Sequence, residues 1–298
     1  MKIIPVLVDN DYLEKVPYKD PEFPIDIFTD NYDSFIDETL NIHWHPQYEF
    51  TTLISGSLDF NITGIHMHMS EGDCLFINSN KMHTARQKPG FRGSVNKGVA
   101  FPVTLIVNNV YNIIYKKYFE PVSSSSIYGI IIKKEEAFAS EIASIILKIN
   151  ALNNSGYDFE LSCIGLLIDL WRNVLSYISI YNPESMINNV NIKYEERMKK
   201  LLLYIHNNYA DNITIDNLAE YANISRRECF RCFKQFTNMS PIDYINGYRL
   251  EHAAKLLLES NLSVTEISNA SGFNNSSYFG KLFKNKFYIS PGQYGKIK

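Results

Sequence analysis

The sequence predicts an α+β chain: an N-terminal β-barrel with flanking helices, then an all-α C-terminal domain of two helix-turn-helix units. Three observations carry this. Between Ile42 and Ile132, short runs of Ile, Phe, Leu, Val and Tyr alternate with turn signals, the pattern of strands in a barrel or sandwich. From Lys133 the apolar spacing changes to steps of three and four, the period of a helix. Finally, Ser240-Pro241-Ile242-Asp243-Tyr244 is echoed fifty positions later by Ser290-Pro291-Gly292-Gln293-Tyr294, with Phe233-Lys234 and Phe283-Lys284 standing seven residues before each Ser. Such an internal repeat marks a duplicated structural unit.

In chain order, residues 1 to about 40 carry Pro5, Pro17, Pro21 and Pro24, which excludes one long helix there and favours an arm or edge strands. The opening residues do not form a signal peptide, and no uncharged apolar run approaches the roughly 18 residues of a membrane span, so the expected location is the cytoplasm with no membrane partner. Four cysteines in 298 residues make a poor disulfide framework, in keeping with a reducing compartment. The strand region is punctuated at Ser55-Gly56-Ser57, Thr63-Gly64, Glu71-Gly72-Asp73 and Lys88-Pro89-Gly90. Two helices are then expected within 133–181. The first carries the stripe Phe138, Ile142, Ile145, Ile146 and Ile149, the second Leu161, Ile164, Ile168, Trp171, Leu175 and Ile178. They either pack on the barrel or pair two protomers. A polar stretch, 182–194, reads as a linker.

Charge separates the halves. Residues 193–298 hold 15 Lys+Arg against 10 Asp+Glu, leaving 14 against 22 for the rest of a chain whose net charge is -3. Attraction to phosphates needs a basic surface, and the basic part is the one with the repeat. Thr214 and Ser263 each precede a short helix; Ser263 to Glu266 forms a capping box, and Ser225 to Glu228 repeats it. At 100° per residue, the helix after Ser225 buries Cys229, Cys232, Phe233 and Phe236 and turns Arg227, Phe230, Arg231 and Lys234 outward. The helix near 275 buries Phe279, Leu282 and Phe283 and exposes Ser277, Lys281 and Lys284 in the same register. Long donors opposite a core stripe are what a recognition helix requires. The spacing of Cys229 and Cys232 places both thiols in the core, and no second ligand pair accompanies them. Between the units, Pro241 to Leu258 reads as one helix of about 27 Å, with Ile242, Ile245, Ala253, Leu256 and Leu257 apolar. That length suits two reading helices in adjacent major-groove segments.

Residues 195–298 resemble the DNA-binding domain of the AraC/XylS family of transcriptional regulators. The carriers are Ile215-x-x-Leu218-Ala219, Ser225 to Lys234, Ser240-Pro241-x-x-Tyr244, Ile267, Gly272-Phe273, Ser277-Tyr278-Phe279, Phe283-Lys284 and Ser290-Pro291-x-x-Tyr294. The resemblance implies double-stranded DNA as partner, contacted by Arg226, Arg227, Phe230, Arg231 and Lys234 in the first unit and by Asn275, Ser276, Ser277, Lys281 and Lys284 in the second. It brings in a homodimer, and RNA polymerase as a further partner. Gly295 stands where the family usually has Arg, and Asn223 where the first turn often has Gly.

His43-Trp44-His45-x3-Glu49-x6-Gly56 and Gly72-x5-Asn78-x-Asn80-x2-His83 resemble the two motifs of the cupin barrel, with Asn78 and Asn80 in place of the usual Pro and Gly. Residues two apart on a strand share a face, so His43, His45 and Glu49 can converge, and His83 can join them. The resemblance implies a small-molecule effector, a sugar among the candidates, bound by His43, His45, Glu49 and His83. The same four form the candidate metal set, although neither metal nor cofactor is required. The domains expected are 1–132, a cupin-like effector-binding barrel with N-terminal arm; 133–181, helical dimerisation or coupling; 182–194, linker; and 195–298, DNA binding. The function expected is an effector-controlled transcription regulator and not an enzyme. The alternative is a cupin metalloenzyme or metal sensor carrying a DNA-binding domain.

Overall fold

The computed structural model describes residues 18, 20–181 and 191–297. Pro5, Pro17 and most of the expected linker lie outside those residues. The chain divides into two compact units, one reaching Asn191 and the other running from Ile192.

Among the described residues the first unit has nine strands in two antiparallel sheets: β1 (Asp26–Asn31), β2 (Thr39–His43), β3 (Tyr48–Ser55), β4 (Ser57–Ile62), β5 (Ile65–Ser70), β6 (Cys74–Ile77), β7 (His83–Gln87), β8 (Val95–Phe101) and β9 (Gly129–Ile132). Their orders are β1-β8-β3-β6-β9 and β2-β7-β4-β5. Strands therefore begin earlier than Ile42, and β1 lies at a sheet edge, where a Pro-rich approach is tolerated. Alternation gives the five-stranded sheet two different faces. Phe50, Phe76, Val99, Phe101 and Ile130 join one large core, while Asp26, Ala100 and Glu49 lie side by side in register.

Helix α1 (Glu120–Ser123) precedes β9; α2 (Ala137–Ala151) and α3 (Phe159–Tyr181) follow it and pack into that core. The stripe expected on α2 is buried apart from the half-buried Phe138. On α3 the expected stripe is corrected. The buried face is Phe159, Cys163, Leu167, Leu170, Trp171, Val174 and Tyr177, whereas Leu161 and Ile168 are exposed. This helix is apolar around most of its circumference, so periodicity offers two stripes; packing selects the one centred on Trp171. The indole stacks on Phe119 at 4.4 Å and donates from Nε1 to the Tyr118 carbonyl at 3.1 Å. Burying such a ring contributes roughly 4–6 kcal/mol. By length and composition α3 could cross a membrane, but its inner face is part of this core.

The second unit is helical: α4 (Asn191–Asn208), α5 (Ile215–Tyr221), α6 (Arg226–Thr237), α7 (Pro241–Glu259), α8 (Val264–Ala270), α9 (Ser276–Phe287) and α10 (Pro291–Tyr294). The last residues of the expected linker are thus helical. Starts follow the sequence signals. Ser225, Ser240, Ser263 and Ser290 each accept the backbone N–H three residues on. Thr214 forms a full capping box with Asn217, as Ser263 does with Glu266 and Ser290 with Gln293. The box expected at Ser225 is only half made, because the Glu228 carboxylate is taken up by Arg197 at 2.8 Å. Ile242, expected among the apolar contacts of α7, is exposed; it sits in the first turn, on the side turned to solvent.

Repetition reaches the backbone. Asn223 and Gly272, in the two helix-turn-helix turns, have φ of 54° and 83°, and Asn238 and Tyr288, ending α6 and α9, have φ of 57° and 66°. Asn supports the left-handed region better than most residues, which accounts for Asn223.

Candidate functional site

Strand register assembles the first cluster. His43 and His83 are paired residues of β2 and β7, Glu49 follows from the start of β3, and His45 lies in the short connection before it. All four are at least nineteen-twentieths buried. The ring centroids of His43 and His83 are 4.1 Å apart, and those of His45 and His83 are 5.0 Å apart. Glu49 Oε2 lies 3.1 Å from His45 Nε2 and 3.4 Å from His83 Nε2. The second approach is an ion-pair distance without hydrogen-bond alignment, since His83 Nε2 has no hydrogen-bond partner.

Tautomers follow from the backbone. Nδ1 of His43 faces the Asn41 carbonyl at 2.7 Å, Nδ1 of His83 the Lys81 carbonyl at 2.9 Å, and Nδ1 of His45 the Gln47 carbonyl at 3.2 Å. A carbonyl can only accept, so each Nδ1 carries hydrogen and each Nε2 is left to supply a lone pair or bind a further proton. Histidines oriented through Nδ1 by backbone carbonyls are arranged as metal ligands are. One donor atom from each of the three rings can be chosen so that all lie within 4.8 Å of one another. With Glu49 beside them the cluster is rich in acceptors, and His45 meets one acceptor at each nitrogen.

The electrostatics agree. Burial, reinforced by His83 and His45, holds His43 well below its ordinary 6.5, so its ring is neutral. Burial alone would raise Glu49, but the hydrogen bond from His45 and the proximity of His83 outweigh it and keep the carboxylate below its ordinary 4.5. Asp26 is a neighbour that the sequence did not reveal. Burial and the nearby Glu49 push it up to about 6, against the pull of His45. Its strand is seated by Phe28, whose ring lies over Gly98 where a Cβ would collide with it. Only the β1–β8–β3 adjacency brings Asp26 and Glu49 to one side.

The two Asn departures in the second motif have structural uses. Asn78 Nδ2 donates to the carbonyls of Val122 and Ile127, both at 2.8 Å, and Asn80 takes a φ of 60° in the position usually given to Gly. His66 and His68 lie on β5 with exposed side chains, and His68 pairs with Asp59 at 2.7 Å.

On the second unit, α6 buries Cys229, Cys232, Phe233 and Phe236 and exposes Arg226, Arg227, Phe230, Arg231 and Lys234. On α9, Phe279 and Phe283 are buried and Leu282 half-buried, while Ser276, Ser277, Lys281 and Lys284 are exposed. Not all are equally available. Asn275 caps α9 by accepting from Tyr278 N at 2.9 Å, and Arg226 pairs with Asp216 at 3.2 Å. Helix α7 touches both α6 and α9: Tyr244 packs on Phe233, Asn246 donates to the Tyr278 hydroxyl at 3.4 Å, and Lys286 pairs with Glu251 at 2.8 Å.

The family description "Helix-turn-helix domain" matches residues 218–297, and "Cupin domain" matches residues 37–88. Over 98% of both chains the protein is 27% identical to the Uncharacterized HTH-type transcriptional regulator YdeC of Bacillus subtilis. It is 36% identical to the Raffinose operon transcriptional regulatory protein RafR of Pediococcus pentosaceus, over 36% of this chain and 39% of that one. It is 32% identical to the Msm operon regulatory protein of Streptococcus mutans, over 46% and 48%. These operon regulators therefore match over less than half of their length. Among solved structures, an AraC-type transcriptional regulator from Chromobacterium violaceum is 28% identical over 34% of this chain and 89% of its own, with a TM-score of 0.33.

Proposed function

We propose that the chain, one of the AraC-type transcriptional regulators with a cupin-like domain ahead of the helix-turn-helix domain, is an effector-controlled, sequence-specific DNA-binding regulator. The observation that carries this is the matched pair of outward donor sets, Arg227, Arg231 and Lys234 on α6 and Ser277, Lys281 and Lys284 on α9, each opposite a buried aromatic stripe. Arginine forks read guanine edges, and lysines contact phosphate. The first unit, with two arginines, carries more of the base discrimination.

The effector is read by His43, His45, Glu49 and His83, and saccharides are the first class to test because a relative regulates a raffinose operon. The outward apolar residues of α3, Leu161, Ile168 and Ile180, support residues 133–181 as the dimerisation and coupling segment. A second reading of the same cluster is favoured by its three inward ring nitrogens: a first-row divalent metal held by His43, His45 and His83 with Glu49. The donor set fits such an ion. Bound there, the metal would supply a Lewis-acidic anchor for an oxygen ligand; the residues themselves orient the rings and balance the charge.

Two measurements test the proposal. Fluorescence anisotropy on DNA selected from a randomised pool should give binding that weakens steeply with salt; binding without sequence preference would refute the regulator reading. A thermal-shift screen of saccharides and divalent metals should give a stabilising hit that His83→Ala abolishes. A hit unaffected by His83→Ala would remove the cluster from effector sensing. Stoichiometric metal in protein purified without chelator, lost in the same variant, selects the metal reading.

A further inference from the structure

We propose that Tyr194, in the first turn of α4, is a positioning residue for base reading, its ring forming the platform on which Arg231 of α6 is held. The Arg231 guanidinium carbon lies 4.5 Å from the centre of the Tyr194 ring, and that of Arg197 lies 5.4 Å from the same ring. One carboxylate serves both cations. Glu228 Oε1 is 2.8 Å from Arg197 Nη1 but 3.5 Å from Arg231 Nη2. Its charge is therefore spent mainly on Arg197, which is also the more enclosed of the two side chains, 19% exposed against 55%.

This division matters for chemistry. Held over the ring, Arg231 donates one Nη2 N–H to Glu228 Oε1 at a long 3.5 Å, and its remaining N–H groups are left for the bidentate contact that a guanidinium makes with a guanine. A second carboxylate in ideal geometry would instead have consumed the fork. Because a loose Arg carries considerable rotamer freedom, a platform that orders it before DNA arrives lowers the entropy lost on binding. The repeat sharpens the contrast: Lys281, at the matching position of α9, has no aromatic platform among the described residues. Tyr194 also lies in the first turn of the helix that opens the second unit.

The inference rests on α6 being a DNA-reading helix, so the test must separate the two claims. Full-length wild type, Arg231→Ala, Tyr194→Ala, Tyr194→Phe and Tyr194→Leu are compared on the selected site and on a set carrying every single base-pair change. Arg231→Ala should flatten the preference at one base pair. Tyr194→Ala and Tyr194→Leu should weaken the selected site about 3- to 10-fold, lose preference at that same base pair and leave the salt slope unchanged. Tyr194→Phe should restore binding. In the Arg231→Ala background the Tyr194 substitutions should have no further effect.

If Arg231→Ala leaves base preference intact, the reading face of α6 is misassigned and the proposal falls with it. If Arg231→Ala flattens the preference but Tyr194→Leu does not, only the platform is overturned. Tighter binding by Tyr194→Ala would also overturn it, by showing that the ring withholds Arg231. Cooperative melting of each variant excludes a general loss of fold.

Discussion

Gly272→Ala should strongly destabilise the second unit, and the comparison with Gly272→Asn says why. Gly272 turns the chain from α8 into α9 with a φ of 83°. An L residue there costs about 1 kcal/mol in backbone conformation. Space is the larger obstacle. A Cβ would meet the Tyr209 carbonyl oxygen and lie 2.9 Å from Arg249 Nε and 3.0 Å from Ala210 Cα. Arg249 Nε donates to that same carbonyl at 2.7 Å. Moving it aside loses a charge-assisted hydrogen bond worth roughly 1.5–3 kcal/mol. Together these give about 2.5–4 kcal/mol, or a shift near 2 M in urea midpoint at a slope of about 1.5–2 kcal/mol/M. Gly272→Asn relieves the backbone cost but carries the same Cβ, so it should recover less than about 1 kcal/mol. Asn223→Gly, at the equivalent turn, should change stability by only a few tenths. The assay is urea unfolding of the full chain followed by helical circular dichroism. A Gly272→Asn variant close to wild type would show that the crowding argument is wrong and that backbone conformation alone demands the glycine.

Glu49 is held below its ordinary 4.5 in the folded protein, so its contribution to stability is complete above that value and lost as pH falls through the lower folded one. Denaturant titrations from pH 6 to 3 should show the wild type losing stability faster than Glu49→Gln; parallel curves would remove Glu49 from the acid response. Arg227→Ala should relax base preference more than Ser277→Ala does, read as the ratio of affinities for matched and mismatched sites. Equal losses would refute the unequal division of labour between the units. Leu161→Arg together with Ile168→Arg should shift a dimer to monomer in sedimentation velocity while leaving thermal stability nearly unchanged, because both side chains are exposed. A persisting dimer would place the dimer surface elsewhere.

The second unit was legible because its signals are local. Caps, turns and aromatic stripes lie within a few residues of what they organise, and Ser225, Ser240, Ser263 and Ser290 act where the sequence puts them. The cluster of His43, His45, Glu49 and His83 was legible from its motif spacing, but not through alternation along one strand as expected: His43 ends β2, His45 lies in the connection and Glu49 stands in β3. Asp26 was not, because its neighbour Glu49 is separated by a strand from another part of the chain. The inward face of α3 failed differently: Leu161 and Ile168 compete with Leu167 and Val174 at the same period, and only the partner surface decides. Tyr194 could not be found from spacing at all. Stacking on Arg231 joins residues 37 positions apart on separate helices, and no periodic signal records it.

Helix α7 runs unbroken for 19 residues and is fastened to α6 at one end and to α9 further along. It therefore fixes an angular phase as well as a distance. One residue inserted between those two fastenings would turn α9 by about 100° and advance it by about 1.5 Å. A seven-residue insertion would restore the phase to within about 20° while lengthening the helix by about 10 Å, close to three base pairs. On the proposed reading of α6 and α9 as DNA-contacting helices, this one helix sets the spacing between the two half-sequences they contact.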